Sequence, residues 1–430
     1  VSQTIGGVAR AQDYVFRLRD SLLGAQMLCV AFGSLVLVPL LTGLDPNVAL
    51  FTAGIGTLIF QVVTGGRVPV FLASSFAFIA PIIYGVAHWG VAATLGGLIA
   101  AGGVYIAIAA LIAWRGVGFV TRLLPPVVTG PVIMVIGLVL APVAINLATG
   151  LDSSGDNQLV ARAPALFVAG VALATTLAVS LLGRGFFRLL PIIFGVAAGY
   201  LTSLAFGLVD FSSVRQAPWF AMPTFVAPAF NWQAIAFMLP VTIAPAIEHF
   251  GDIVAIRSVT GRDYLVDPGI HRTMLGDGLA TGLAGALGGP PCTTYSEVTG
   301  AVTLTGATNP ALMTWAALFA IAFSFVGKLG AFLAAIPTPV MGGIIVLLFG
   351  AIVVVGMNTL VESGEDLTTP RNLAIVGLIL ICGIGGLHLS AGRFELQGIA
   401  LAGVLGVMLN LVLPGGSAQE KKNRDPQAHE

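Results

Sequence analysis

The sequence predicts an all-α polytopic membrane protein of fourteen spans, arranged as an inverted repeat of seven plus seven. Three observations predict it. First, 57% of the residues are hydrophobic and only 9% are charged, against about 25% charged in soluble domains. A chain so poor in charge cannot cover itself with a wetted surface. Second, apolar runs follow one another from Leu18 to Leu413, separated by short polar links. Runs of about 18 to 25 residues cross roughly 30 Å of hydrocarbon as helices. They are continuous and rich in Gly and Ala, as packed membrane helices are, whereas barrel strands alternate over about ten residues. Third, the two halves carry the same landmarks in the same order.

In chain order the first seven spans fall near 20–43, 47–64, 68–87, 91–114, 125–147, 162–182 and 187–208. The second seven fall near 232–256, 272–288, 290–304, 311–335, 337–356, 371–390 and 396–413. The third span contains Pro69, Ser74, Ser75 and Pro81; the tenth is short and contains Pro290, Pro291, Thr293 and Thr294. Both are expected to be interrupted by short extended stretches. Broken spans at matching places in two halves point to a transporter's binding site.

The landmarks match as follows. Phe32-Gly33 recurs as Phe250-Gly251, Ser74-Ser75-Phe76 as Thr293-Thr294-Tyr295, and Pro126-Val127 as Pro339-Val340. The offsets are 218, 219 and 213 residues. Because seven is odd, the second copy enters the membrane upside down. Arg10, Arg17, Arg19, Arg67, Arg115, Arg122, Arg184, Arg188, Arg257, Arg262, Arg272, Arg371, Lys421, Lys422 and Arg424 fall on one side of this plan. Only Arg162, Arg215 and Arg393 fall on the other. Positive residues stay inside, so residues 1–19 and the tail 414–430 are expected in the cytoplasm, the tail disordered. Val1 to Gln12 is polar and lacks the apolar core of a cleavable leader. The formal net charge is zero, which suggests no nucleic-acid partner. Cys29, Cys292 and Cys382 sit in or beside apolar runs, an odd count that argues against a disulfide framework.

Glu248, His249, Asp252, Asp277, Glu297 and Lys328 are the titratable groups placed within spans. Such groups cost free energy in a membrane and mark a pathway or a partner. Lys328, near the end of span eleven, is expected to snorkel to the interface. Asp277 fits a helix–helix hydrogen bond as well as a functional role. His249 points away from the Glu248 face and fits packing better than ligand binding. Glu248 and Asp252 are four residues apart and stack on one helix face. Two carboxylates that close in a poorly solvated site do not both ionise easily, so one is expected to keep a proton near neutral pH. Proton coupling requires this; a structural pair held by hydroxyl or backbone groups is the alternative. Glu297 ends the run Pro290-Pro291-Cys292-Thr293-Thr294-Tyr295-Ser296-Glu297. Its prolines and threonines stop a continuous helix, and irregular backbone survives at membrane depth only inside protein or beside a cavity. A helix beginning near Tyr295 presents free N–H donors, and Ser74-Ser75-Phe76 presents a second such start from the opposite direction. Two helix starts, two carboxylates and the rings of Phe76 and Tyr295 suit a flat polar ring.

At these residues the sequence resembles the nucleobase–ascorbate (nucleobase–cation symporter) family, and within it the bacterial uracil permeases. The stretches that carry the resemblance are Ser74-Ser75-Phe76-Ala77-Phe78, Trp219-Phe220-Ala221-Met222-Pro223-Thr224, Asp267-Pro268-Gly269-Ile270-His271-Arg272, Thr293-Thr294-Tyr295-Ser296-Glu297, Val326-Gly327-Lys328-Leu329 and Pro339-Val340-Met341-Gly342-Gly343. The resemblance runs roughly from Ser21 to Leu413. It implies a core domain from 20–114 and 232–335, a gate domain from 125–208 and 337–413, and a homodimer. It places substrate carboxylates at Glu248 and Glu297 and backbone contacts at Phe76 and Ser296, with Ser75 and Tyr295 beside them. Glu at position 297 favours a pyrimidine over xanthine or urate. The chain departs from similar uracil permeases at Asp252, where they have His and purine carriers often have Asp. It departs again at Ser296 for Gly, Val298 for Asn, and Phe349 for a gate-facing Tyr.

The resulting expectation is a symporter of uracil with the proton as coupling ion and no cofactor, in the bacterial inner membrane, with lipid around it. A purine carrier of the same chemistry is the alternative. An anion exchanger on the same plan is disfavoured by two acidic residues at the site. No metal cluster, nucleotide-binding loop or nucleophile–base pair points to an enzyme.

Overall fold

The computed structural model describes residues 11–391 and 394–414. Arg10, Arg393 and the tail with Lys421, Lys422 and Arg424 lie outside the described residues. The first half runs through helices α1 (Ser21–Thr42) and α2 (Pro46–Val63), strand β1 (Leu72–Ser74), then α3 (Ile79–Arg115), α4 (Val117–Leu123), α5 (Pro126–Val139), α6 (Ala141–Ala148), α7 (Arg162–Leu182) and α8 (Pro191–Ala205). The second half runs through α9 (Ser212–Gln216), α10 (Trp232–Val241), α11 (Ile243–Thr260), α12 (Ile270–Leu287), strand β2 (Cys292–Thr294), α13 (Ser296–Thr305), α14 (Ala311–Ser324) and α15 (Gly327–Ala334). It closes with α16 (Thr338–Ser363), α17 (Pro370–Ile384), the paired strands β3 (Leu389–Ala391) and β4 (Phe394–Leu396), and α18 (Gly398–Val412).

Local chemistry sets several boundaries. Asp45 caps α2 by accepting from the Asn47 N–H at 2.7 Å, with Pro46 in the first turn. Asn231 caps α10 in the same way through the Gln233 N–H. Such caps satisfy donors that a helix start leaves free. α3 spans 37 residues, about 55 Å at the helical rise and nearly twice the hydrocarbon thickness. Gly90, at φ 79° and ψ 169°, breaks it. A side chain would resist that backbone conformation. The expected spans 68–87 and 91–114 fall on the two sides of this break.

Among the described residues seven helical stretches are long and apolar enough to cross a membrane: Leu18–Thr42, Pro46–Val63, Phe76–Arg115, Pro126–Ala148, Arg162–Leu182, Trp232–Thr260 and Thr338–Ser363. Four shorter apolar helices join them: Pro191–Ala205, Ala311–Ser324, Pro370–Ile384 and Gly398–Val412. The expected ninth and tenth spans, 272–288 and 290–304, are in neither group. The reason is packing. α12 lies against both α2 and α3, so its buried Thr273, Asp277 and Thr281 meet protein. α13 is only 10 residues long and follows an extended strand. The expected span 311–335 also differs, dividing at Phe325–Val326 into α14 and α15.

α1 and α2 pack on α14, and α10 and α12 on α3. α16 packs on α5, α6 and α7, and α17 and α18 pack on each other and on α5. α11 lies between, touching α5, α13 and α18. The loops after α2 and α11 meet at one end, where Arg67 and Arg262 both pair with Asp267.

Candidate functional site

β1 and β2 come from sequence positions more than two hundred residues apart, yet pair antiparallel, with Leu72 opposite Thr294, Ala73 opposite Thr293 and Ser74 opposite Cys292. A threonine from a flanking helix holds each strand. The Thr57 hydroxyl of α2 accepts from the Leu72 N–H at 3.0 Å. The Thr281 hydroxyl of α12 donates to the Cys292 carbonyl at 2.6 Å. The Ser75 N–H donates to the Pro291 carbonyl at 2.9 Å and extends the pairing. Each strand leads into a helix: Phe76–Phe78 opens into α3, and Ser296 begins α13. Because the strands are antiparallel, these helix starts approach the crossing from opposite directions.

Beside the crossing lies a cavity of about 790 Å³, within the range of about 300–1,000 Å³ usual for small-molecule sites. Glu248, Asp252, Glu297, Phe76 and Tyr295 line it. α5 and α16 close the opposite wall with Thr129, Ile133 and Ile352. No Lys or Arg lines it among the described residues. It continues past Ser258 and Glu362 towards the helix ends near Arg257 and Arg262.

Glu248 and Asp252 both stand on α11. One Asp252 oxygen accepts from the Thr294 hydroxyl at 2.7 Å. Glu248 Oε2 is buried and has no hydrogen-bond partner in the protein. Ser74 Oγ is likewise buried and unpartnered. A ring bearing N–H donors and carbonyl acceptors would satisfy such a set. Glu297 stands in the first turn of α13, where helix N–H groups and the dipole favour negative charge. The Phe76 ring packs edge-on to Phe349, 5.9 Å between centroids, and tilted to Tyr295 at 6.2 Å.

The sequence-predicted residues therefore gather at one place, with differences in detail. Ser75 does not line the cavity; its N–H is spent on Pro291, and Ser74 lines it instead. The alternation of strand side chains carries that signal. Phe349 is 2% exposed and backs Phe76 rather than facing the cavity. The Ser296 backbone opens α13, and its side chain lies outside the described residues. Lys328 is outside the site. It belongs to α15, donates to the Val214 and Arg215 carbonyls at 2.7 and 3.4 Å, and lies 5.6 Å from the Trp219 ring centroid. Sequence reasoning did not assign Thr294 to Asp252. It also missed the pair formed by His249 and Asp277, whose Nδ1 and Oδ2 lie 3.2 Å apart.

A family model described as "Permease family" matches residues 19–392. The chain belongs to this permease family, the nucleobase–ascorbate transporters. Its permease relatives include the "Probable uracil permease" of Haemophilus influenzae, 54% identical over 398 residues, covering 93% of this chain and 95% of that one. The "Uracil permease" of Bacillus caldolyticus is 45% identical over 400 residues, covering 91% of each. The "Uracil permease" of Escherichia coli K12 is 38% identical over 390 residues, covering 91% of this chain and 90% of that one. Among solved structures, the transmembrane domain of the cyanobacterial bicarbonate transporter BicA aligns with TM-score 0.63 at 17% identity, covering 94% of this chain and 99% of that one. The murine anion transporter Slc26a9 aligns with TM-score 0.65 at 14% identity, covering 92% of this chain and 68% of that one. At these identities the structural likeness concerns the fold alone. The permease is thus a mostly helical integral membrane protein with a transporter fold.

Proposed function

We propose that this permease is a proton-coupled uracil symporter of the bacterial inner membrane, working by alternating access. The observation that carries the reading is the cavity at the strand crossing. It joins Glu248, Asp252 and Glu297 to two opposed helix starts and has no lining cation among the described residues. The ring N–H groups of uracil would donate to the Glu248 and Glu297 carboxylates. Its carbonyls would accept from backbone N–H groups at Phe76 and at Tyr295–Ser296, with Phe76 and Tyr295 against the ring faces. The names of the relatives at 38–54% identity favour uracil over a purine. An acidic cavity disfavours an anionic cargo.

In this reading the chain crosses the membrane fourteen times. α12 and the β2–α13 segment count as spans shielded by protein, and spans three and ten are interrupted at the strands. Residues 20–114 and 232–335 form a core that moves against a gate of 125–208 and 337–413, and two copies form a homodimer. Both termini lie in the cytoplasm, so the cavity opens towards the cytoplasm. Asp252 holds the coupling proton beside Glu248, and loss of that proton inside releases the ring. Competition of uracil, xanthine and sulfate for uptake into proteoliposomes tests the cargo. Uracil alone should compete at low concentration; displacement by xanthine at equal concentration points to a purine carrier, and by sulfate to an anion exchanger.

A further inference from the structure

β2 is three residues long but meets two buried carboxylates on two helices. Successive strand side chains face opposite ways. Thr294 donates to Asp252 on α11, which lines the cavity. Thr293 also lines the cavity, and its hydroxyl donates at 3.2 Å to Asp277 on α12, which does not line it. Behind β2, Asp277 meets His249, and both side chains are 0% exposed. His249 Nε2 lies 3.0 Å from the Thr273 hydroxyl. The same hydroxyl lies 3.0 Å from the Ile270 carbonyl, to which it can donate. Nδ1 faces the Asp277 carboxylate at 3.2 Å. The contact is close but is not an aligned hydrogen bond. Two contacts at the Asp277 carboxylate thus tie α12 to α11 through His249 and to β2 through Thr293.

We propose that the His249–Asp277 pair is a positioning element of the transport site, holding β2 so that Thr294 keeps Asp252 and the start of α13 keeps its aim into the cavity. The inference rests on the reading of that cavity as the substrate site. Neither residue touches the substrate; both act through Thr293 and the strand.

The test compares wild type with Asp277→Asn, His249→Gln, Thr293→Val and the double variant Asp277→Asn/Thr293→Val in proteoliposomes. It measures KM and Vmax for labelled uracil counterflow per folded molecule, with folding scored by monodispersity and thermal unfolding. Each single variant should raise KM about tenfold while Vmax per folded molecule stays within about twofold. The double variant should be no worse than Asp277→Asn alone, because both changes break one linkage. Because Thr293 itself lines the cavity, His249→Gln, which lies outside it, separates positioning from direct contact, and Thr293→Val is read through the double variant. Unchanged KM with lowered thermal stability would make the pair mere packing. Losses that multiply in the double variant would mean that Thr293 and Asp277 act separately. Either result overturns the proposal. Failure of the wild type to move uracil would instead overturn the substrate reading, and the same comparison would then be run with the nucleobase that wild type does carry.

Discussion

Asp252→Asn separates binding from energy coupling. The native side chain accepts from the Thr294 hydroxyl at 2.7 Å, and asparagine keeps an oxygen able to accept that bond. With the coupling proton on Asp252 that bond already joins neutral groups, so the substitution exchanges one neutral bond for another, at a cost of about 1 kcal/mol or less. Uracil affinity should therefore fall by no more than about tenfold. Coupling should change far more. A pH step of about one unit supplies about 1.4 kcal/mol per proton, which is about tenfold in accumulated substrate. Asparagine cannot carry that proton. In proteoliposomes held at zero voltage, Asp252→Asn should exchange uracil in counterflow yet bring accumulation down to about onefold. Asp252→His should restore part of the gradient-driven uptake. If Asp252→Asn accumulates uracil as wild type does, Asp252 is structural and another group carries the proton.

Two further outcomes follow from particular contacts. Glu248→Gln and Glu297→Ala should each weaken uracil binding roughly ten- to a hundredfold, the worth of one charge-assisted hydrogen bond; equilibrium binding to purified protein checks this, and native affinity in both would remove the site assignment. Gly102→Leu should destabilise the helix pair α3–α12. Even a Cβ at Gly102 would lie 2.6 Å from the Gly282 nitrogen and 2.7 Å from the Gly278 oxygen. Thermal unfolding in detergent should show a loss of at least about 1–3 kcal/mol, and an unchanged midpoint would mean that this packing is looser than described.

Some of the site was legible in the sequence because it rests on short-range rules. The spacing of Glu248 and Asp252 puts both on α11 whatever the tertiary fold. The match between Ser74-Ser75-Phe76 and Thr293-Thr294-Tyr295 pointed to equivalent places, and β1 and β2 pair there. What the sequence did not reveal depends on partners. Whether Ser74 or Ser75 faces the cavity turns on strand register, which shifts by one residue without changing composition. His249 and Asp277 meet across two helices, and no local pattern encodes that encounter. The helix expected at 272–288 is present as α12, but that its polar residues face α2 and α3 depends on packing. Lys328 was placed in a span because the apolar run continues past Ser324; the break at Phe325–Val326 moves it to the capped end of α9.

The central claim is that protons drive uracil through the cavity at the strand crossing. The most direct measurement is uptake of labelled uracil by wild type and Glu248→Gln in proteoliposomes under an inward pH step of about one unit, at zero voltage. Wild type should accumulate uracil about tenfold, lose the accumulation on addition of a protonophore, and gain nothing from a sodium gradient; Glu248→Gln, its affinity lowered roughly ten- to a hundredfold, should take up little uracil at a concentration near the wild-type Kd. Full uptake driven by sodium alone at symmetric pH, or native accumulation by Glu248→Gln, would contradict the account.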